Sequence, residues 1–235
     1  MIECIMVTDN MLVNNHLEVN KMANEVANVE TKFLINSNAD LAEELDGVEV
    51  QPLKLKVPSS GGTAFEVPIN PDDPEVRKEL RVIITKHKFW RSYYAGAYNG
   101  ENNPPDCYCD NTRGEAQRKI ENDDPDADLE YEPCSCEDCE FAEFGGGCKI
   151  LKKLNMILDG VSQPVEMFVP QMSVKNINTY ISTLVAKGLR TKDVITKIRI
   201  KKAKSRTGIE YGQLVFEMDR PLTDAEREAV AKWIE

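Results

Sequence analysis

Histidine is nearly missing: the 235 residues contain two, His16 and His87, and both stand away from the cysteines. They read as ordinary surface or core residues. No apolar run approaches the roughly 20 residues that a membrane helix needs, so no membrane association is expected. Met1 to Asn10 carries Glu3 and Asp9 and no basic stretch. That argues against a secretory signal and for a cytoplasmic protein. There is no P-loop, no G-x-G-x-x-G, no G-x-S-x-G and no H-E-x-x-H. With them goes support for phosphate-loop, dinucleotide, serine-hydrolase and zinc-peptidase chemistry. Carboxylates such as those of D-D-P-D-A-D, Asp123 to Asp128, fall in loop-like sequence. A two-metal nuclease needs them on rigid strands. The chain reads as a binding protein rather than an enzyme.

Positive charge is also short, with 29 Lys and Arg against 40 Asp and Glu and a net of −11. Taken whole, that disfavours nucleic acid as a partner. Position overturns the average. Glu101 to Glu143 holds 15 acidic and 3 basic residues, a net of −12, and leaves +1 for the rest of the chain. Cys148 to Arg206 holds 13 Lys or Arg against Asp159, Glu166 and Asp193, a net of +10. An acidic insert beside a basic segment permits a nucleic-acid surface.

Six of the seven cysteines, Cys107, Cys109, Cys134, Cys136, Cys139 and Cys148, fall within 42 residues, and only Cys4 stands apart. In a reducing compartment such a cluster favours metal over disulfides. C-E-D-C, Cys136 to Cys139, offers two thiolates from a tight turn. Gly145, Gly146 and Gly147 precede Cys148, as a knuckle needs where backbone folds close to an ion. The expected site is one structural zinc on Cys107, Cys136, Cys139 and Cys148. Cys109 and Cys134, each two residues from a proposed ligand, are the alternatives. Four thiolates leave no open position for water, so a catalytic role is not expected.

The remaining pattern is mainly β. Period-2 alternation predicts strands over Pro52 to Val57, Thr63 to Val67, Glu79 to Tyr94, Ile150 to Leu158, Val165 to Val169, Val194 to Lys204 and Ile209 to Met218. A helix is predicted over Ser173 to Lys187, with Ser173 as N-cap and Gly188 as stop. A terminal helix over Thr223 to Ile234 opens with a Thr223–Glu226 capping box. Short strands with one internal helix suggest an OB-like β-barrel. The expected division is an N-terminal arm and short helix over 1–47, a barrel over 48–220 and a C-terminal helix over 221–235. A long zinc-binding loop over about 100–148 would interrupt the barrel.

Two strand segments carry surface chemistry. Lys86 to Tyr98 holds five of the 16 aromatics interleaved with cations. Rings stack on bases and cations meet phosphates in single-stranded nucleic acid. Lys86, Lys88, Trp90, Arg91, Tyr93, Tyr94 and Tyr98 are the candidates there, with Phe89 or Trp90 alternating into the core. Along Lys197 to Arg206, Lys197, Arg199 and Lys201 share one strand face, joined by Lys202, Lys204 and Arg206. Such a row is costly unless an anion neutralises it.

N-P-P-D-C (Asn103 to Cys107), C-E-D-C (Cys136 to Cys139), F-G-G-G-C-K (Phe144 to Lys149) and S-R-T-G-I-E-Y (Ser205 to Tyr211) follow in order. Over roughly Ser59 to Phe216 the chain resembles a family of phage and prophage single-stranded DNA-binding proteins with a cysteine-rich insertion. The resemblance implies an OB fold, zinc on Cys107, Cys136, Cys139 and Cys148, and a role in DNA replication or recombination in the host cytoplasm. Cys109, Cys134 and the acidity of the insert depart from its pattern. The expected partner is single-stranded DNA, with replication or recombination proteins engaged through the acidic insert or the C-terminal helix. An interaction module that meets a host protein through that insert is the competing reading. A homodimer is compatible with either.

Overall fold

Leu80, Val82 and Ile84 alternate along one face of the longest strand, β4 (Glu79–Tyr93), and all three are fully buried. The computed structural model describes residues 51–58, 61–70, 72–96, 103–122, 128–143, 146–205 and 208–234. It divides the chain into one compact unit, Glu49–Leu222, and a second made of Met1–Val48 with Thr223–Glu235. The arm expected over 1–47, and the candidates Tyr98 and Arg206, lie outside the described residues.

The larger unit is mainly β. Its other strands are β1 (Leu53–Leu55), β2 (Phe65–Val67), β3 (Glu75–Arg77), β5 (Cys107–Cys109), β6 (Glu115–Lys119), β7 (Tyr131–Ser135), β8 (Lys149–Leu158), β9 (Val165–Val169), β10 (Val194–Lys204) and β11 (Glu210–Pro221). Nine of them form one sheet that curls into a half-barrel, and β2 and β3 form a separate ribbon. β4 is the spine: it pairs antiparallel with β10 at one end, with β5 at the other and with β8 along most of its length. β9 continues from β8, and β1 lies parallel to β9.

Helix α1 (Gln171–Ala186) lays Ile177, Tyr180 and Leu184 on the core built by Leu80, Val82, Ile84, Leu154, Met156, Met167, Ile198 and Leu214. Tyr180 keeps its hydroxyl satisfied by sharing a hydrogen bond with Thr196 Oγ1 at 2.7 Å. Gly188, at φ +72°, ends the helix as expected: its N–H reaches Val185 O and the Leu189 N–H reaches Leu184 O, a Schellman closure. The start differs. Pro170 occupies the N-cap position. Ser173 is buried inside the first turn, where its Oγ accepts from the Leu214 N–H at 2.9 Å. Asn176 donates to the Leu214 carbonyl at 2.8 Å. Among the described residues β11 pairs only with β10. α1 therefore satisfies backbone groups on a sheet edge that a closed barrel would have paired.

Two further departures position the site. Thr85 is an extra residue in β4, between the Ile84–Met156 and Lys86–Asn155 pairs. This bulge moves the inward set from even to odd positions. The insert is also not a long loop: β5, β6 and β7 carry the sheet outward from the end of β4. Its strands are three to five residues long and mostly polar. Backbone pairing onto β4 specifies them, so no apolar alternation announces them. In the smaller unit, helix α2 (Asp224–Ile234) has the expected capping box, with Thr223 N–H donating to Glu226 at 2.8 Å and Glu226 N–H donating to Thr223 Oγ1 at 3.3 Å.

Candidate functional site

Past the bulge, the two faces of β4 carry different chemistry. On the inward face, Arg91 stands opposite Cys109 and Tyr93 opposite Cys107 in the β4–β5 ladder. Residues two apart on a strand share a face, so Cys107 and Cys109 lie together. On β7, Cys134 pairs with Ala116 of β6, whose small side chain is buried. Cys136 follows two residues later, its N–H held by the Gly114 carbonyl at 2.8 Å. A turn then delivers Cys139. Cys148 is tied to that turn by donating its N–H to Phe141 O at 3.0 Å. Gly146 allows the approach, because a Cβ there would sit 2.3 Å from Glu140 O. Tyr93 stacks on Phe141 at 4.2 Å and walls one side.

The expected ligands Cys107, Cys136, Cys139 and Cys148 line, with Cys134, one cleft of about 1200 Å³. Cys109 is buried at 2 % exposure. Cys107 Sγ lies 3.8 Å from Cys134 Sγ. A zinc–thiolate bond of about 2.3 Å gives a tetrahedral sulfur–sulfur edge of about 3.8 Å. Among the described residues, no three Cys, His, Asp or Glu side chains already stand in a metal-holding arrangement. Burial, and after it the neighbouring thiols, push Cys107 up to about 12. Burial, against the opposing charge of Arg91 and with help from the other thiols, lifts Cys148 to about 11. Such thiols keep their protons until a cation displaces them. Arg91 sits among them with its Nε buried and unpaired among the described residues.

The outward face is aromatic and cationic. Trp90 stacks on Tyr108 at 5.2 Å with planes 7° apart and meets the edge of Phe168 at 5.4 Å. Tyr131 stands edge-on to Tyr108 at 5.1 Å. Lys153 Nζ lies 5.5 Å from the Trp90 ring and 5.7 Å from that of Phe168. Lys88 is directly opposite Lys153 in the ladder. Asp110 pairs with Lys88 at 3.1 Å, and Glu166 pairs with Lys153. Burial, then the charge of Lys88, lowers the Lys153 pKa. Lys86 and Lys54 are exposed.

The strand candidates therefore separate. Lys86, Lys88 and Trp90 face outward, Arg91 and Tyr93 belong to the thiol side, and Tyr94 is 43 % exposed just beyond the strand. The sequence reading missed Tyr108, Tyr131, Lys153 and Phe168, which lie on four other strands and join this face only through strand register.

The basic hairpin carries carboxylates of its own sheet beside its cations. Ile198 and Ile200 do point into the core. The anions that neutralise its cations come from neighbouring strands: Lys197 pairs with Asp219 at 2.7 Å, Arg199 with Glu217 and with Glu79 at 3.5 Å, and Lys204 with Glu210 at 3.3 Å. Lys201 and Lys202 are exposed towards the tip.

No family model matches the chain, no curated protein matches its sequence, and no solved structure matches its fold. No helix among the described residues is long and apolar enough to cross a membrane.

Proposed function

We propose that the protein binds single-stranded DNA with little sequence preference, through the outward face of β4, β8 and β9, and that the thiol-rich insert is stapled by zinc. The observation that carries this reading is the Trp90–Tyr108–Phe168 cluster, with Lys153 against two of its rings and Lys86 and Lys88 beside it. Stacking surfaces framed by cations accept any base and follow the backbone. An OB-like reading is supported by connectivity: a β4–β8–β9 meander, helix α1, then the β10–β11 hairpin returning to β4. In OB folds the second and third strands, with the loops after the first and fourth, bind oligonucleotides. Here those loops are the insert and the lysine-bearing hairpin tip. A replication or recombination setting follows from that ligand.

Oligo-dT titrated against the protein over a salt series tests the reading. Binding at low salt is expected, with log K falling against log salt by about 0.7 for each phosphate neutralised. Absence of binding at low salt would sink it.

A further inference from the structure

We propose that one zinc is held by Cys107, Cys134, Cys136 and Cys139, so that Cys134 takes the position expected of Cys148, and Cys148 stays a free thiol in the same cleft. The inference rests on the zinc half of the proposed function and is independent of DNA binding. A distance and a register support it. Cys107 Sγ and Cys134 Sγ stand 3.8 Å apart. That is the edge two ligands of one tetrahedral zinc require when each bond is about 2.3 Å. Strand register puts the two side chains together independently of that distance. Cys107 is opposite Arg118 in the β5–β6 ladder, and Arg118 is opposite Glu132 in the β6–β7 ladder. Cys134 lies two residues beyond Glu132 and so shares the face of Cys107. Ala116, opposite Cys134, is buried and puts only a methyl group in the way.

The other two ligands come from one turn, in which the Cys139 N–H reaches the Cys136 carbonyl at 3.5 Å. A C-x2-C turn offers its two thiolates as a unit, and with the strand pair they fill the four positions. The ion then staples β5 and β7, the strands on either side of β6, to the turn that follows β7. Loading sends the four thiol protons to solvent. Cys109 is set aside by its own contacts. It is buried, does not line the cleft that the other five cysteines share, and donates its thiol to the Asn111 carbonyl at 3.2 Å. Asn111 is itself fixed, with Nδ2 donating to the Glu115 carbonyl at 2.9 Å and Oδ1 accepting from the Arg113 N–H at 3.0 Å. Cys148 lines the cleft as a fifth thiol, where a tetrahedral ion takes four.

The test loads the full chain, purified reduced, with Co²⁺ in place of zinc and reads the thiolate-to-cobalt absorption band. Cys148→Ser is expected to keep the wild-type band, whereas Cys134→Ser loses about a quarter of it, one thiolate in four. A weakened band in Cys148→Ser, or an unchanged one in Cys134→Ser, overturns the ligand set. Should Cys134→Ser not fold, alkylation of the native zinc-loaded wild type with peptide mapping decides instead. Modification of Cys148 with Cys134 spared is expected; Cys134 modified as fast as Cys148 overturns the set. One zinc per chain with the set overturned leaves the zinc reading standing, and a zinc content near zero removes both.

Discussion

Lys153 is held on three sides: Lys88 repels it across the ladder, Glu166 neutralises it, and Trp90 and Phe168 lie against it. The proposed DNA-binding reading has this cation meet a phosphate while the neighbouring rings take bases. Trp90→Ala and Phe168→Ala are each expected to weaken oligo-dT binding by about 1–3 kcal/mol, the worth of one stacked base. Fluorescence anisotropy with a labelled oligonucleotide measures this; native affinity in both folded variants would exclude the face. Asp219 is the complementary case, an anion consumed within the protein. Burial alone would raise its pKa, but bonds from Lys197 and Arg81 outweigh burial and hold it below the usual carboxylate value. Its contribution is therefore complete above the ordinary carboxylate pKa and is lost as pH falls through the lower folded value. Asp219→Asn is expected to lie below wild type in stability at neutral pH, with the gap closing in acid. Denaturant midpoints over that range check it; a gap that widens in acid would contradict the assignment.

Among the elements, α1 and the half of β4 before the bulge carry the core. Ile177 is fully buried between helix and sheet. Ile177→Ala is expected to cost about 2–5 kcal/mol, read from the urea midpoint. A loss below about 1 kcal/mol would mean that the helix packs loosely. The principal strands were legible in the sequence because their pattern is local: Val-Ile-Ile in β4, the flanks of Asp159–Gly160, and the alternation of β10. α1 was legible except at its start, where Ser173 has the chemistry of a cap but uses its hydroxyl on β11, a partner 41 residues away. β5 to β7 were not legible, because polar strands of a few residues take their conformation from pairing. The same limit applies to the site. The thiols announced themselves by spacing, whereas Trp90 could be assigned to a face only once Thr85 was known to be an extra residue.

For the molecule as a whole, the polarity of charge has a structural address. The acidic run is the stretch of sequence that carries β5, β6 and β7, and several cations of the basic run are paired within the protein, while Lys201 and Lys202 are exposed near the hairpin tip. Part of the neutralisation comes from within the protein, for a reason the sequence does not display: β11 returns antiparallel with Asp219, Glu217 and Glu210 close to those cations. The proposed function accordingly rests on the aromatic face of β4, β8 and β9, with Lys201 and Lys202 at the hairpin tip.

Thr85 links these scales. It acts on the side chains that follow as a frameshift acts on codons, reassigning every later position of β4 without altering any residue. Loss of that one residue would exchange the addresses of Lys86, Lys88 and Trp90 with those of His87, Phe89 and Arg91, turning lysines towards the core and the arginine away from the thiols. The aromatic face and the thiol pocket thus share a single phase and can be gained or lost only together.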